Sequence, residues 1–229
     1  KKDFEAAVDR ARSIAMSEPK GPVYLSLPLE VLAQAWAGQP PAAKATLEPA
    51  SDPHPDPAAI AAAAAILREA ERPLIIVGGS DRSAFGAVGP FAERAAIPVT
   101  EFWPRRLALA TTDPMHAGFD VAPHIETADA ILVLDVMVPW LPVKHTLAKG
   151  CRVIQVGPDP SFSRAPMRSF QGDVVIRSSV AAALRSLGVA IGEAPAKRRK
   201  VAQAAHDAER KRQAQSIAIP PSGLAINAF

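Results

Sequence analysis

Four short apolar runs, each followed by turn-forming residues, limit what this chain can fold into. They are Leu74–Gly78 (LIIVG), Ile131–Asp135 (ILVLD), Val153–Gly157 (VIQVG) and Val174–Ile176 (VVI). Apart from leucine and one glutamine they are rich in Ile and Val. Runs this apolar, without polar alternation, are buried on both faces, as in the central strands of a parallel sheet. Helical patterns alternate with them, so the segment reads β-α-β-α, a doubly wound α/β domain. A shorter run, Ile97–Thr100, continues toward Phe102 and adds one more strand. The expected parallel sheet thus holds Leu74–Val77, Val99–Phe102, Ile131–Leu134, Val153–Val156 and Val174–Ile176. Ile75, Val77, Leu132, Leu134, Ile154 and Val156 should be buried in it. In such sheets ligands sit beyond the carboxyl ends of the strands, so the turns after these runs hold the candidate chemistry.

Composition narrows the classes. The 229 residues, 48% hydrophobic, suffice for a real core, and no apolar stretch is long enough to span a bilayer. One cysteine, Cys151, leaves no room for a disulfide framework or a cysteine-based metal site; just before an apolar strand, it reads as a buried thiol. A net charge of +3 gives no argument for nucleic acid. No signal peptide is expected, and a cytoplasmic location is expected. There is no initiator Met, and the chain opens inside a helical pattern, as expected of a piece of a longer protein.

The flanks support that expectation. Phe4, Val8, Ala11, Ile14 and Ala15 recur at helical spacing, which predicts an amphipathic helix over 3–18, stopped by Pro19–Lys20–Gly21–Pro22. Val23–Leu27 (VYLSL) then reads as a strand closed by Pro28. Residues 33–56, rich in Pro and Ala, read as an extended linker, with His54 a solvated loop histidine. The main domain begins at Asp56, a good N-cap, with Pro57 suited to the first turn of a helix that runs to about Ala70. Ser80 or Ser83 is a candidate cap for the next helix, which carries Phe85, Val88, Phe91 and Ala95. Ser178–Leu187 reads as a capped helix. Ala196–Gln215 reads as a charged helix whose basic run Lys197–Lys200 is a solvated face rather than a nucleic-acid patch. Residues 222–229 resemble the start of a further element.

The strand ends carry few chemical groups. Gly78–Gly79 fails the dinucleotide fingerprint, because the next glycines, Gly86 and Gly89, come too late. It fails the P-loop because no Gly-Lys-Ser/Thr follows. It is either a tight turn that needs no Cβ or a backbone amide seat for phosphate. Arg105 and Arg106 follow a strand and either grip a phosphate or carboxylate or belong to a solvated loop, paired with Glu101. His116 and His124, with Asp113 and Asp120 nearby, lack the spacing of a zinc site. Asp135 and Trp140 face a ligand, or else cap a turn and pack on the sheet. Asp159, in Gly157–Pro158–Asp159–Pro160, is a turn residue or a ribose contact.

Taken in order, these pieces resemble one family. GPVYLSLPLEVL (Gly21–Leu32) is similar to the end of the pyrimidine-binding domain of thiamine-diphosphate-dependent enzymes. ERPLIIVGGS…FAERAAIPVTEFW, DPMHAGF, ADAILVLD, CRVIQVGPDP and GDVVIRSSVAAALRSL resemble the central domain of the acetolactate-synthase-like group. The resemblance covers nearly the whole chain; each motif alone is modest, and their joint order makes it specific. It implies a Rossmann-like three-layer domain with a six-stranded parallel sheet. It divides the chain into the end of a pyrimidine-binding domain (1–32), a linker (33–56), the central domain (57–190) and a helical linker (191–229) toward a diphosphate-binding domain.

The resemblance also implies a division of labour. The family's pyrimidine-binding domain supplies a glutamate that activates the thiamine ring. Its third domain carries Gly-Asp-Gly…Asn-Asn, which holds magnesium and diphosphate. Here the only Gly-Asp is Gly172–Asp173, followed by Val174 and no distant Asn pair. The parent is thus expected to use thiamine diphosphate and magnesium to form or cleave a C–C bond at 2-oxo acids, as a homodimer or homotetramer with the two other domains. The fragment is expected to be a non-catalytic structural domain holding neither. The alternative is a nucleotide-binding (FAD, ADP or CoA) or allosteric module, with Gly78, Gly79, Arg105, Asp135 and Asp159 as its site. Against flavin stand Pro104–Arg105–Arg106, where family members have a Gly-Lys-Gly-like turn, and Asp135–Pro139, where they have Gly-Ala-Arg-Phe-Asp. An acid where glycine would approach a diphosphate repels it. No membrane or nucleic-acid partner is expected.

Overall fold

In a computed structural model the structure describes residues 2–34, 47–79 and 83–217, without the side chains of Lys2, Asp3, Ser83, Ser216 and Ile217. The chain forms two compact units, Lys1–Pro53 and His54–Phe229. In the first, helix α1 (Lys2–Met16) occupies the stretch the periodicity predicts, and the short α2 (Leu29–Leu32) follows Pro28. Phe4, Val8 and Ile14 on α1 are exposed. The segment Leu47–Ala50 lies along α1: Leu47 N donates to Asp9 Oδ2 (2.8 Å), Ser13 Oγ to Glu48 O (3.0 Å) and Ala50 N to Ser17 Oγ (2.9 Å). Val23–Leu27 is not a strand. Residues 21–28 carry no regular structure, because a strand exists only through its ladder and none of the described strands pairs with this one. Most of the predicted linker, residues 35–46, lies outside the described residues, as do Ser80 and the C-terminal segment 222–229.

The second unit is built on a parallel sheet. Asp56 caps α3 (Pro57–Glu69), its Oδ1 accepting from Ala58 N at 3.1 Å. Strands β1 (Pro73–Val77), β2 (Val99–Glu101), β3 (Ala130–Leu134), β4 (Arg152–Gly157) and β5 (Val174–Arg177) pair in the order β2-β1-β3-β4-β5, all parallel. The count of described strands is five rather than six. Beyond β2, however, Met115–Gly118 lies as a further line of backbone. Val99 N donates to Met115 O, Ala117 N to Val99 O (both 2.8 Å) and Glu101 N to Gly118 O (3.0 Å), with a parallel bridge between Val99 and His116.

The two faces of the sheet differ. Ile75, Val77, Leu132, Leu134, Ile154 and Val156 point to one face and are fully buried under α3, α4 (Ser83–Ala95) and α6 (Val180–Ile191). Each such side chain stabilises the fold by about 2 kcal/mol over leaving it in water. Leu74, Ile76, Ile131, Val133 and Val153 point to the other face. There the cover is the four-residue α5 (Ala122–Ile125) and irregular chain carrying Val136, Trp140, Leu147 and Phe170. Gln155, inside the run Val153–Gly157, faces this side and donates to Phe170 O (3.2 Å) and Gln171 O (2.6 Å). It satisfies carbonyls of the irregular segment that follows β4.

Helix α7 (Ala196–Ile217) packs on the unit, and its basic run is not wholly solvated. Arg198 is 4% exposed and donates to Ala95 O at the end of α4 and to Arg68 O and Ala70 O at the end of α3. One guanidinium thus satisfies the open carbonyls, and meets the negative ends, of two helices at once. Lys197 pairs loosely with Glu71 and Arg199 donates to Glu93 O. The start of α6 also differs from expectation. It begins after Ser179, which makes no side-chain cap bond, and runs to Gly192, whose φ of +75° ends it.

Candidate functional site: a cleft at the switch point of the sheet

The chain runs from β1 outward to β2, then returns to place β3 on the other side of β1. The turns after β1 and β3 therefore part company, and this is where α/β sheets open a crevice. A cleft of about 130 Å³ lies there, lined among the described residues by Gly78 and Gly79 after β1, Trp103 and Arg105 after β2, Asp135–Val138 after β3 and Phe162 after β4.

Backbone geometry explains the residue types. A Cβ on Gly78 would meet Phe102 O at 2.9 Å, and Gly78 O accepts from Arg105 N (3.2 Å), so the β1 and β2 turns are in contact. A Cβ on Gly79 would lie 2.5 Å from Asp135 Oδ2, and one on Gly157 would lie 3.4 Å from Asp135 Oδ1. Asp135 itself has φ +52°, a conformation that Asp and Asn tolerate better than other side chains, and its N–H donates to Val156 O (2.8 Å). The Asp135 carboxylate is thus seated between two glycines. Trp103, also at positive φ and 64% exposed, stacks on Phe102 with ring centroids 5.0 Å apart.

Four of the five candidate residues, Gly78, Gly79, Arg105 and Asp135, meet in this cleft. Asp159 does not line it. Its Oδ2 accepts from Ser163 N (2.8 Å) and Ser163 Oγ (2.9 Å), and its carbonyl from Phe162 N, the bonds of a turn residue. Trp140 is buried and packs edge-on to Phe170, which places it on the sheet rather than toward a ligand.

Two further constellations were not legible as groups in the sequence. Arg168 reaches back from the segment after β4. It donates to Met137 O (3.0 Å) and Val136 O (3.2 Å), with its guanidinium over Phe162 (4.8 Å) and Phe170 (5.3 Å). Burial lowers its pKa, with Asp159 opposing. Glu101, expected to pair with an arginine if it paired at all, is instead fully buried. Its Oε1 accepts from Ala108 N and its Oε2 lies 3.3 Å from His116 Nε2, which is also buried. His116 Nδ1 accepts from Gly118 N (3.3 Å), which turns Nε2 toward the carboxylate. The His116 carbonyl in turn contacts His206 Nδ1 of α7 (2.9 Å).

Asp173, of the Gly-Asp pair, is engaged by Val153 N (2.7 Å), Gln171 Nε2 (2.9 Å) and Arg152 Nε (3.1 Å). Burial alone would raise its pKa; these donors outweigh that and hold it below the ordinary carboxylate value. Among the described residues no three His, Cys, Asp or Glu side chains gather as metal ligands, and no helix is long and apolar enough to cross a membrane.

Fold and cleft together define a Rossmann-like α/β domain with its crevice at the switch point. Residues 60–187 match the model of the thiamine pyrophosphate enzyme central domain, and the chain belongs to that family. It is 30% identical over 145 residues to oxalyl-CoA decarboxylase of Escherichia coli K12, a match covering 61% of this chain and 25% of that protein. It is 36% identical over 132 residues to the probable 2-ketoarginine decarboxylase of Pseudomonas aeruginosa, covering 56% of this chain and 23% of that one. Among solved structures, benzoylformate decarboxylase from Polynucleobacter necessarius shares the fold with a TM-score of 0.67 at 24% identity, over 82% of this chain and 36% of that one. The chain spans about a quarter of the length of the curated relatives it matches.

Proposed function

We propose that this chain is the central, architectural domain of a larger cytoplasmic thiamine-diphosphate- and magnesium-dependent enzyme that forms or cleaves a C–C bond at a 2-oxo acid. In this reading residues 57–190 are the domain proper, 1–32 end a pyrimidine-binding domain, and 33–56 and 191–229 connect to the neighbours. The observation that carries it is the family match over residues 60–187, supported by relatives whose names are those of decarboxylases. The chain supplies sheet, core and helix contacts; the cofactor is held by the neighbouring domains, and the parent works as a homodimer or homotetramer. The test is the full-length parent assayed with a panel of 2-oxo acids, with and without magnesium and thiamine diphosphate. Turnover that requires both is expected; turnover without either would defeat the reading.

A second reading, a nucleotide-binding or allosteric module, is favoured by one observation. Loops from three strands bring Gly78, Gly79, Trp103, Arg105 and Asp135 to one cleft at the position where such sheets take nucleotides. FAD is the least favoured occupant, because the Asp135 carboxylate stands against the β1 turn.

A further inference from the structure

We infer that the second half of helix α7, from His206 onward, is a pH-sensitive latch: it docks on the Met115–Gly118 line while His124 is neutral and releases when His124 takes up a proton. The latch goes beyond the thiamine assignment and depends on neither reading of the cleft.

Three consecutive residues of the line carry the contacts. The His116 carbonyl meets His206 Nδ1 of α7 at 2.9 Å, and the Ala117 carbonyl meets His124 Nε2 of α5 at 3.3 Å. Gly118, at φ +97°, lies so close to α7 that a Cβ there would fall 2.6 Å from Glu209 Cδ. Glu209 in turn pairs with Arg212 (2.6 Å) and accepts from Gln213 Nε2 (2.9 Å). Arg198 anchors the first half of α7 on α3 and α4, but among the described side chains beyond Ala202 none on this helix is fully buried. A segment held by polar contacts alone opens at low cost. The charged groups around His124 come from more than one element. Arg212 and Glu209 face it from α7, and Asp120 from the turn before α5, where its Oδ1 accepts from Ala122 N (3.0 Å). His116, on the line itself, turns its Nε2 away toward buried Glu101. Burial, the largest influence, holds the His124 pKa below the ordinary 6.5, and Arg212 adds to this; the Ala117 carbonyl, Glu209 and Asp120 oppose it without prevailing. In the released state Arg212 is gone and the ring is open to water. Glu209 leaves too, but its attraction is weaker than the repulsion of Arg212. The released state therefore binds more protons, so docking is strongest above pH 6.5 and weakens as pH falls below that value.

The test is hydrogen exchange of the full-length parent at about pH 7.5 and about pH 5.5, on either side of the histidine range. Protection over residues 206–215 is read after correction for the intrinsic exchange rate at each pH. A latch governed by one histidine predicts that this protection falls about fivefold at the lower pH, with α3 and α6 unchanged. His124→Gln keeps a donor for the Ala117 carbonyl and does not titrate, so its protection should not change with pH. Arg212→Gln removes the repulsion and should reduce the fall, and His206→Gln should keep it. Protection that is the same at both pH values in the unaltered protein would overturn the inference. So would a fall of equal size in His124→Gln, or a fall that disappears in His206→Gln and persists in His124→Gln, which would put the response on the other histidine. Loss of protection in α3 and α6 together with α7 would also overturn it, because the whole domain would then be opening. Should His124→Gln not fold, Arg212→Gln decides: an undiminished fall in that variant overturns the latch.

Discussion

The two faces of the sheet are made from the same strands yet solve burial differently. On one side α3, α4 and α6 lay regular apolar stripes over Ile75, Leu132 and Ile154, and almost nothing polar intrudes. On the other, irregular chain covers Ile76, Ile131 and Val133, and side chains must satisfy the loop carbonyls: Gln155 reaches Phe170 and Gln171, and Arg168 reaches Val136 and Met137. The regular face makes the domain stable. The irregular face, with Arg168 and Phe162, shapes the approach to the cleft.

This contrast is sharpened most by core truncation. Leu132→Ala on the helical face should destabilise by about 3 kcal/mol, because three packed helices cannot collapse into the cavity. Val133→Ala, its neighbour on the loop face, should lose distinctly less. Paired denaturant titrations check this, and equal losses would break the distinction between the faces. Next in size is Arg198→Met. It leaves the terminal carbonyls of α3 and α4 without their donor and should lose about 2 kcal/mol, with faster amide exchange along α7. Gln155→Leu should lose about 1 kcal/mol and speed exchange in residues 160–172 while leaving α3 and α6 protected.

The regular face was legible in the sequence; the irregular face was not. The apolar runs, the helix from Pro57 and the five strands follow from local periodicity and capping, and the six named core positions are buried as expected. Val23–Leu27 misled because a β-rich pentapeptide says nothing about whether a partner strand is present. Gly78, Gly79, Arg105 and Asp135 were legible as a group because each ends a strand, and topology alone brings strand ends together. Arg168, Arg198 and the Glu101–His116 pair were not, since their partners lie far away in the chain: Arg198, for example, meets Ala70 at a separation of 128. Their signals in the sequence are a basic run and two lone polar residues, which a solvated surface produces equally well.

The smallest expected effect concerns Cys151, under the irregular face. Burial first, and then Asp129 and Asp173, push its pKa up to about 11. At pH 8 only about one thiol in a thousand is ionised, so alkylation of the folded chain should be slow and should quicken on unfolding. The unfolded thiol ionises near 9 and the folded one near 11, so between these values the folded state binds more protons. Its contribution to stability is therefore intact below pH 9 and is lost as pH rises through that window. Cys151→Ala should abolish this increment in a pH series of unfolding curves.

In the proposed function this chain supplies architecture, and the thiamine chemistry resides in the parent's other domains. Calorimetric titration of the 229-residue chain with magnesium and thiamine diphosphate tests it most directly. The account predicts no heat beyond dilution, with Asp173 remaining engaged by Val153, Gln171 and Arg152. Saturable, stoichiometric, magnesium-dependent binding would contradict it.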